Sequence, residues 1–363
     1  MAVLTSSTLE LYCWTGRFDN QPTSPQYTIT KTNPDLNNTV RFEIAELVQD
    51  YIEIVFDNNY GVASSGLSNI KSTCWWTYDK TNIYSDATPT TIDTAYGVAT
   101  KGYGYFEDGI NSNNVSSKLI SNQYIYIPEG QAVRVPVYKG PNGVSIVRFY
   151  SKDSAGNEFI ADRDTEATFS QLPSTEDCNR FIKYASTNVV VSKIEIVSQN
   201  TSSPTYSATT GESIETIYPI YLDCSKFDNY KISFINKFGA IQDLWFNKKR
   251  TDNLSLKRET FNTSTIYSTA SDVNYNTYSP TSIVQDVTSR KSLTLNTGFL
   301  KEEYNETIRQ LMQSEDVWIR DNNTTLPVSI KDSSFDYKTH LNDKLVNYTV
   351  QFEFAFDGIN TVR

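Results

Sequence analysis

The residues best suited to chemistry are few in this chain. Histidine, the most frequent general acid or base in enzymes, occurs once, at His340. A catalytic triad or a metal site built on several histidines therefore cannot be assembled within one chain, and we interpret His340 as a structural or surface residue. The four cysteines lie far apart, without the Cys-x-x-Cys spacing of zinc and redox sites: Cys13, Cys74, Cys178 and Cys224. We expect all four to be reduced and buried.

Paired carboxylates are the remaining route to catalysis, because a glycoside hydrolase needs only two acidic residues flanking the bond that it cleaves. The candidates are Glu107 with Asp108, Asp162 with Asp164, and Glu302 with Glu303. None lies in a recognisable motif, and such pairs on loops or helix faces are usually solvated. Asp162 and Asp164 also have the oxygen atoms that calcium prefers, but the rest of a binding loop is missing, and a surface turn is the simpler interpretation. We predict no catalytic, cofactor-binding or metal-binding residues and no enzymatic activity.

Aromatic side chains are the more abundant candidates for binding, at 13% of the chain. The run Trp75-Trp76-Thr77-Tyr78 would give a platform on which the apolar face of a sugar packs. Alternatively, its rings alternate between core and solvent along one strand. The run Gly102-Tyr103-Gly104-Tyr105-Phe106 lacks the further glycine and the lysine of a nucleotide-binding loop, so we interpret it as a kinked aromatic turn or a bulge.

The elements that position these residues are predicted to be mainly strands. Aromatic and β-branched runs alternate with Ser, Thr and Asn turn residues, whereas strong helix formers are scarce. We predict a mainly β fold of tandem β-sandwich-like modules. Pro128 to Gln131 has the chemistry of a hairpin turn between strands 124–127 and 133–138, and Pro136 marks the second of these as an edge strand. Strict alternation from Tyr348 to Phe356 predicts a strand buried on one face and packed in its sheet or against a neighbour.

Two short amphipathic helices interrupt the strands. The first is predicted over residues 43–52, lying across a sheet, and the second over residues 300–313. Asn296 or Thr297 would cap the second helix, and Glu302 and Glu303 would lie in its first turn, where the helix dipole favours acidic side chains.

Turn-rich stretches divide the chain of 363 residues into three predicted domains. The first, residues 1–140, is β-rich and contains the helix near 43–52. The second, residues 141–217, is a β-sandwich-like domain, and the third, residues 218–363, is β-rich with the helix near 300–313. We expect the third domain to hold the main subunit contacts.

The formal charge of −10 argues against nucleic acid as the main partner, since phosphate binding needs clustered Lys and Arg. The first residues lack the basic and apolar regions of a signal peptide, and no stretch is long and apolar enough for a transmembrane helix. We therefore expect a soluble protein that is made in a cytoplasm and makes no contact with a membrane.

Five runs, in this order along the chain, carry a resemblance to a known group of proteins: Phe42–Tyr51, Gly102–Gly109, Phe234–Phe246, Leu295–Gly298 and Lys338–Tyr348. Together they resemble structural proteins of tailed bacteriophages, in particular those infecting marine bacteria or Bacteroidetes. In that group a Cys-Lys-Tyr-Thr-Pro run precedes the Asn-Lys-Phe-Gly turn, whereas Cys224-Ser225-Lys226-Phe227-Asp228 here lacks the proline.

The resemblance implies a tail, baseplate or neck component of a virion, with no catalytic residues, assembled in the bacterial host cytoplasm. Its partners would be further copies of itself, with a ring as one form, and other virion proteins. Two alternatives remain open. One is a carbohydrate- or receptor-binding protein of the virion surface that uses aromatic platforms, so that a glycan is its partner. The other is a glycan hydrolase that depends on two carboxylates.

Overall fold

The computed structural model of the chain describes residues 3–15, 18–32, 39–54, 67–69, 73–86, 89–109, 119–131, 133–138, 144–164, 179–184, 189–198, 213–222, 226–268, 271–322, 324–332, 334, 336–337 and 345–358.

Strands account for 60% of the structure and helices for 9%, which confirms the mainly β class. The strands are β1 (Leu4–Trp14), β2 (Tyr27–Thr32), β3 (Leu67–Asn69), β4 (Thr73–Tyr84), β5 (Pro89–Thr100), β6 (Tyr124–Pro128), β7 (Val133–Tyr138), β8 (Val144–Asp153), β9 (Glu158–Asp164), β10 (Asn179–Tyr184), β11 (Val189–Ser198), β12 (Ser213–Leu222), β13 (Tyr230–Ile235), β14 (Ile241–Phe246), β15 (Thr251–Asn262), β16 (Ile266–Ser268), β17 (Val273–Tyr275), β18 (Ser282–Lys301), β19 (Val317–Asp321), β20 (Thr324–Ile330) and β21 (Leu345–Phe354). The helices are α1 (Ala45–Gln49) and α2 (Asn305–Gln313), with 3-10 turns at Phe18–Asn20, Phe106–Asp108 and Glu302–Tyr304.

The chain divides into two compact units. The first comprises Met1–Cys224, Phe234–Leu244 and Glu303–Leu311, and the second comprises Ser225–Ser233, Trp245–Glu302 and Met312–Arg363. The predicted boundary near residue 140 falls inside the first unit. The predicted boundary at residue 218 lies close to Cys224, where the longest segment of the first unit ends. The division into three domains stays a prediction.

A four-stranded sheet of the first unit, in the order β2-β1-β4-β5, carries α1 on one face. Val48 and Ile52 pack there in one apolar cluster with Leu11 and Cys74, so the predicted helix does lie across a sheet. Only residues 45–49 are helical, not 43–52. The Glu43 carboxylate accepts the N–H of Ala45 at 3.0 Å, so Glu43 satisfies the start of the helix from outside it and is not part of its first turn.

Two further sheets of the first unit form a sandwich-like core. A five-stranded sheet has the order β6-β12-β11-β8-β9, and a three-stranded sheet has the order β3-β10-β7. Residues of both sheets share one buried cluster that includes Val135 and Val137 from β7 and Phe149 and Ile194 from β8 and β11. Interdigitation of alternate apolar residues from two inner faces is how sandwiches bury their core.

The predicted hairpin of strands 124–127 and 133–138 is wrong, although both strands exist. β6 pairs in parallel with β12, and β7 pairs with β10, so the turn between β6 and β7 joins two different sheets. The turn chemistry itself is confirmed, since the N–H of Gln131 donates to the carbonyl of Pro128 at 3.2 Å. Pro136 lies on an outer strand of its sheet, as an edge proline should.

A seven-stranded sheet has the order β14-β13-β19-β20-β21-β18-β15, and its strands from β19 to β15 belong to the second unit. β21 confirms the predicted C-terminal strand, because Val346, Tyr348, Val350, Phe352 and Phe354 are buried while the residues between them are not. The strand ends at residue 354, and Phe356 is exposed. The rings of Phe246 and Phe352 meet edge to face at 5.8 Å in the core of this unit.

The second helix is shorter than predicted because β18 continues through Lys301. Asn296 and Thr297 do not cap a helix. Asn296 pairs with Thr349 of β21, and Thr297 lies in the β-bulge between Asn296 and Phe299. The Asn296 side chain accepts the N–H of Gly298 at 2.8 Å, and Gly298 has φ +72°, a conformation that favours glycine. Glu302 and Glu303 lie in the 3-10 turn that precedes α2.

Among the described residues, no helix combines the length and the apolar character needed to cross a membrane.

Candidate assembly surface

β15 and the first half of β18 form a two-stranded extension of the second unit. β15 is the outer strand of the seven-stranded sheet and pairs with β18 over its whole length, from Thr251 opposite Thr294 to Asn262 opposite Ser282. β18 pairs with β21 only from Ser292 onwards. Within the described part of the chain, residues 282–291 therefore pair with β15 alone. We call residues 251–291 the arm.

The two faces of the arm differ in polarity. Residues directly opposite one another in an antiparallel pair share a face. Leu254, Leu256 and Val287 lie on one face, because Leu256 is opposite Ser289 and Arg258 is opposite Val287. Asp252, Arg258 and Lys291 flank the leucines on that face. The other face of β15 is polar up to Glu259, and there Lys257 and Glu259 form an exposed ion pair at 3.3 Å.

The apolar face of the arm is uncovered. Leu254 is 57% exposed and Leu256 is 49% exposed, and every residue of β15 is exposed. Further large apolar side chains of the arm are exposed towards its tip: Phe261, Ile266, Tyr267, Val273, Tyr275, Tyr278, Ile283 and Val284. A two-stranded ribbon is only marginally stable alone in water, and large exposed apolar side chains concentrated in one element favour an interaction site, whereas single scattered ones do not. The arm is therefore suited to being covered by another protein.

The arm also differs in charge from the rest of the chain. Four basic residues balance four acidic ones: Lys257, Arg258, Arg290 and Lys291 against Asp252, Glu259, Asp272 and Asp286. The formal charge of −10 therefore comes entirely from residues outside the arm. Like-charge repulsion between two acidic proteins is consequently weakest where the arm makes the contact.

A second surface lies in the first unit, where two turns of the chain meet. The N–H of Tyr103 donates to the carbonyl of Lys237 at 2.8 Å, and the Thr100 hydroxyl donates to the carbonyl of Phe238 at 2.9 Å. A Cβ atom at Gly102 would lie 2.6 Å from the Lys237 oxygen, so glycine is required for this approach. The predicted kinked aromatic turn is thus a turn held against the β13–β14 connection.

Asn236 organises that connection from inside. Its side-chain oxygen accepts the N–H groups of Phe238 at 3.0 Å and Ala240 at 3.1 Å, and its side-chain nitrogen donates to the carbonyl of Leu119 at 2.6 Å and to Gln242 at 3.1 Å. Asn236 is fully buried, and these four bonds satisfy its donors and acceptors.

The solvent side of this second surface combines aromatic rings with cations. The Arg309 guanidinium lies 3.5 Å from the centre of the Tyr105 ring, and the Lys237 ammonium lies 5.1 Å from it, both within cation–π range. Arg309 donates to the Glu107 carboxylate at 2.6 Å, and this hydrogen bond lowers the pKa of Glu107. The ring of Phe106 is 100% exposed, so we call Tyr105, Phe106, Lys237 and Arg309 the aromatic–cation surface.

The predicted tryptophan platform is not an open one. Trp75 is fully buried and stacks on Trp14 with ring centres 6.4 Å apart. Trp76 is directly opposite Gly97, and a Cβ atom at Gly97 would lie 2.8 Å from its ring, so this ring covers the glycine. Tyr78 stacks parallel to Trp76 at 6.1 Å, and both pack against the cluster beneath α1. The alternative of rings that alternate between core and solvent holds only in part: Trp75 is in the core on one face, but Trp76 and Tyr78 on the other face are partly buried and do not face only solvent.

The acidic pairs occupy three different places. Glu107 accepts from Arg309 beside the aromatic–cation surface, whereas the side chain of Asp108 lies outside the described residues. Asp162 and Asp164 are on β9 rather than in a turn, with side chains that are not described. Glu302 and Glu303 are in the 3-10 turn before α2. Within the described ranges, no three His, Cys, Asp or Glu residues are close enough to hold a metal ion.

Two of the four cysteines are described. Cys13 and Cys74 are free thiols and are buried, as predicted. The structure does not describe Cys178, Cys224 or His340. Two segments named with the resemblance also lie outside the described residues: Lys338–Lys344 and residues 223–225.

No family model, curated protein or solved structure matches this chain.

The arm is the feature that sequence reasoning missed. The only sequence pattern that indicates β15 is a short alternation of apolar and polar residues, with Leu254 and Leu256 between Asn253, Ser255 and Lys257. No large apolar residue directly flanks this pattern. The prediction that the C-terminal part holds the subunit contacts stays a prediction, and the arm gives it a specific place.

Proposed function

We propose that this chain is a non-enzymatic structural component of a tailed-phage virion, in the tail, baseplate or neck, that assembles through protein–protein contacts. The arm is the observation that carries the proposal. A long two-stranded ribbon is only marginally stable alone in water, and its exposed leucines and aromatic rings do not stabilise it there. Burial of these side chains on a neighbouring subunit removes their apolar area from water and so stabilises the assembly.

The resemblance to tailed-phage structural proteins supports the same proposal from the sequence. Two of the runs that carry it, Gly102–Gly109 and Phe234–Phe246, are brought together by the backbone hydrogen bond from Tyr103 to Lys237. They therefore form one structural feature of the first unit rather than two unrelated stretches of sequence.

Particle composition tests this function directly. We expect mass spectrometry of gradient-purified phage particles, from the host in which this chain is made, to find the chain at a fixed ratio to the other virion proteins. A chain that stays in the lysate and is absent from purified particles would contradict the proposal.

Recognition of a host glycan at the virion surface is the second candidate function, and Phe106 is the observation that favours it. A fully exposed ring beside Tyr105 and Arg309 is suited to stacking on a sugar. A glycan array compares the wild-type protein with Phe106→Ala and with Phe159→Ala, which removes an exposed ring elsewhere in the same unit. Glycan binding that is lost only in Phe106→Ala would support this candidate, and the absence of any specific binding would exclude it.

A further inference from the structure

We infer that β15 pairs edge to edge with β15 of a second copy of this chain, antiparallel and centred on Ser255. The inference rests on the proposed function and names the partner of the arm. It makes the arm the two-fold contact of an assembly, in which each copy contributes the same strand.

The outer edge of β15 is open to such pairing. β15 is the last strand in its sheet, and no other strand of the described residues pairs with its outer side. All twelve of its residues are exposed. An edge of this length presents a row of backbone N–H and C=O groups that a further strand can satisfy.

The side chains select a second copy as that strand. A two-fold axis perpendicular to the sheet and passing through Ser255 places Leu254 of each copy opposite Leu256 of the other. The same axis places Asp252 opposite Arg258, twice. In an antiparallel pair, opposite residues share a face, so four leucines form one apolar cluster that is flanked by two pairs of opposite charge. The strand is therefore complementary to itself in both polarity and charge.

Neighbouring registers lack this match. Centring on Leu254 would place Leu256 opposite Asp252 and Arg258 opposite Arg250, which sets two guanidinium groups against each other. Centring on Leu256 would place Leu254 opposite Arg258 and an aliphatic side chain against a charge. Asp252 already accepts from Arg250 at 2.9 Å, so in the Ser255 register it would lie between two guanidinium groups that its carboxylate can bridge.

Net charge favours the same contact. Two copies of a chain with charge −10 repel one another over most of their surfaces, whereas the arm is neutral. An interface built from two arms brings the copies together where that repulsion is smallest.

Disulfide trapping tests the register. Directly opposite residues in an antiparallel pair have α-carbons about 4.5–5.5 Å apart, within the range of about 4.4–6.8 Å that a disulfide spans. Ser255→Cys should therefore form a covalent dimer under mild oxidation, and mass spectrometry should identify a disulfide-linked peptide that joins the substituted position of one copy to the same position of the other. Lys257→Cys is the matched control, because it lies on the same face of the same strand but opposite Asn253 in this register. It should give no more dimer than the wild-type protein, while the double variant Asn253→Cys with Lys257→Cys should crosslink.

Each outcome is decisive. If Ser255→Cys gives no more covalent dimer than the wild type, or if Lys257→Cys alone crosslinks as readily, the inferred pairing is wrong. The proposed function has its own test, because a chain found in purified particles without a crosslink at position 255 would still be a structural component that assembles through another surface.

Discussion

The α-carbon of Gly239 faces the backbone of Lys101 so closely that a Cβ atom at Gly239 would lie 2.8 Å from the Lys101 nitrogen. Gly239 also has φ +73°, a conformation that costs other residues about 1–2 kcal/mol. The backbone conformation and the close approach to Lys101 therefore both require glycine at position 239. The turn between β13 and β14 lies against the segment at Lys101, which leads into the aromatic–cation surface.

Alanine at Gly239 should destabilise the first unit more than alanine at Gly156. Gly156 has φ +86°, but no atom lies within 4 Å of a Cβ atom placed there, so Gly156→Ala incurs only the backbone cost of about 1–2 kcal/mol. Gly239→Ala adds overpacking of about 1–3 kcal/mol. Denaturant unfolding of the two variants measures the difference, and equal midpoints would show that the two turns are not in close contact in solution.

The ion pair of Glu107 with Arg309 should make stability fall at acidic pH. The hydrogen bond from Arg309 lowers the pKa of Glu107 below its ordinary value of 4.5, so the folded state binds this proton less readily than the unfolded state does. The contribution is complete above pH 4.5 and is lost as the pH falls through the lowered pKa. Because Glu107 is exposed, the effect is small.

NMR titration of the Glu107 carboxyl measures this pKa directly. In Arg309→Met the pKa should rise towards its ordinary value, whereas Arg290→Met, which removes an ion-paired arginine elsewhere, should leave it unchanged. An ordinary pKa in the wild-type protein would mean that the ion pair does not form in solution.

The thiols of Cys13 and Cys74 should be inert in the folded protein. The hydrogen bond between the two thiols, together with burial, raises the pKa of Cys13, and the same hydrogen bond lowers the pKa of Cys74. Both sulfur atoms are buried on the face of the sheet that carries α1, where reagents do not reach them. Since the thiolate is the reactive form, iodoacetamide at neutral pH should modify them only after unfolding. Mass spectrometry of digested native and denatured samples measures this site by site, and modification of both residues without denaturant would contradict the buried arrangement.

The sequence was most informative where one face of an element is buried. The alternation in β21 predicted its strand because Phe352 and Phe354 need a core on one side only. It was misleading around Leu300, which has helical spacing to Tyr304 and Ile308 but is buried as part of β18, opposite Val346. The helical spacing there runs across two consecutive elements, because Leu300 is buried in β18 whereas Tyr304 and Ile308 are buried after the strand has ended.

Long-range pairing was beyond the reach of local patterns. The turn at Gly130 predicted a hairpin, whereas β6 finds its partner in β12, about ninety residues later in the chain. The arm was missed because its strands bury no face in the isolated chain. The alternation of apolar and polar residues that predicts a strand is therefore reduced in β15 to Leu254 and Leu256.

The mass of the protein in solution tests the central claim most directly, namely that the arm drives assembly. Light scattering across a concentration series should show the wild-type chain forming a defined oligomer. Leu254→Ser with Leu256→Ser should remain monomeric while unfolding as the wild type does, since exposed substitutions change stability by only about 0.5 kcal/mol. Ile160→Ser with Val190→Ser removes two exposed aliphatic side chains from the first unit and should assemble normally. A wild-type protein that is monomeric at every concentration, or a Leu254→Ser with Leu256→Ser variant that assembles as well as the wild type, would contradict the claim.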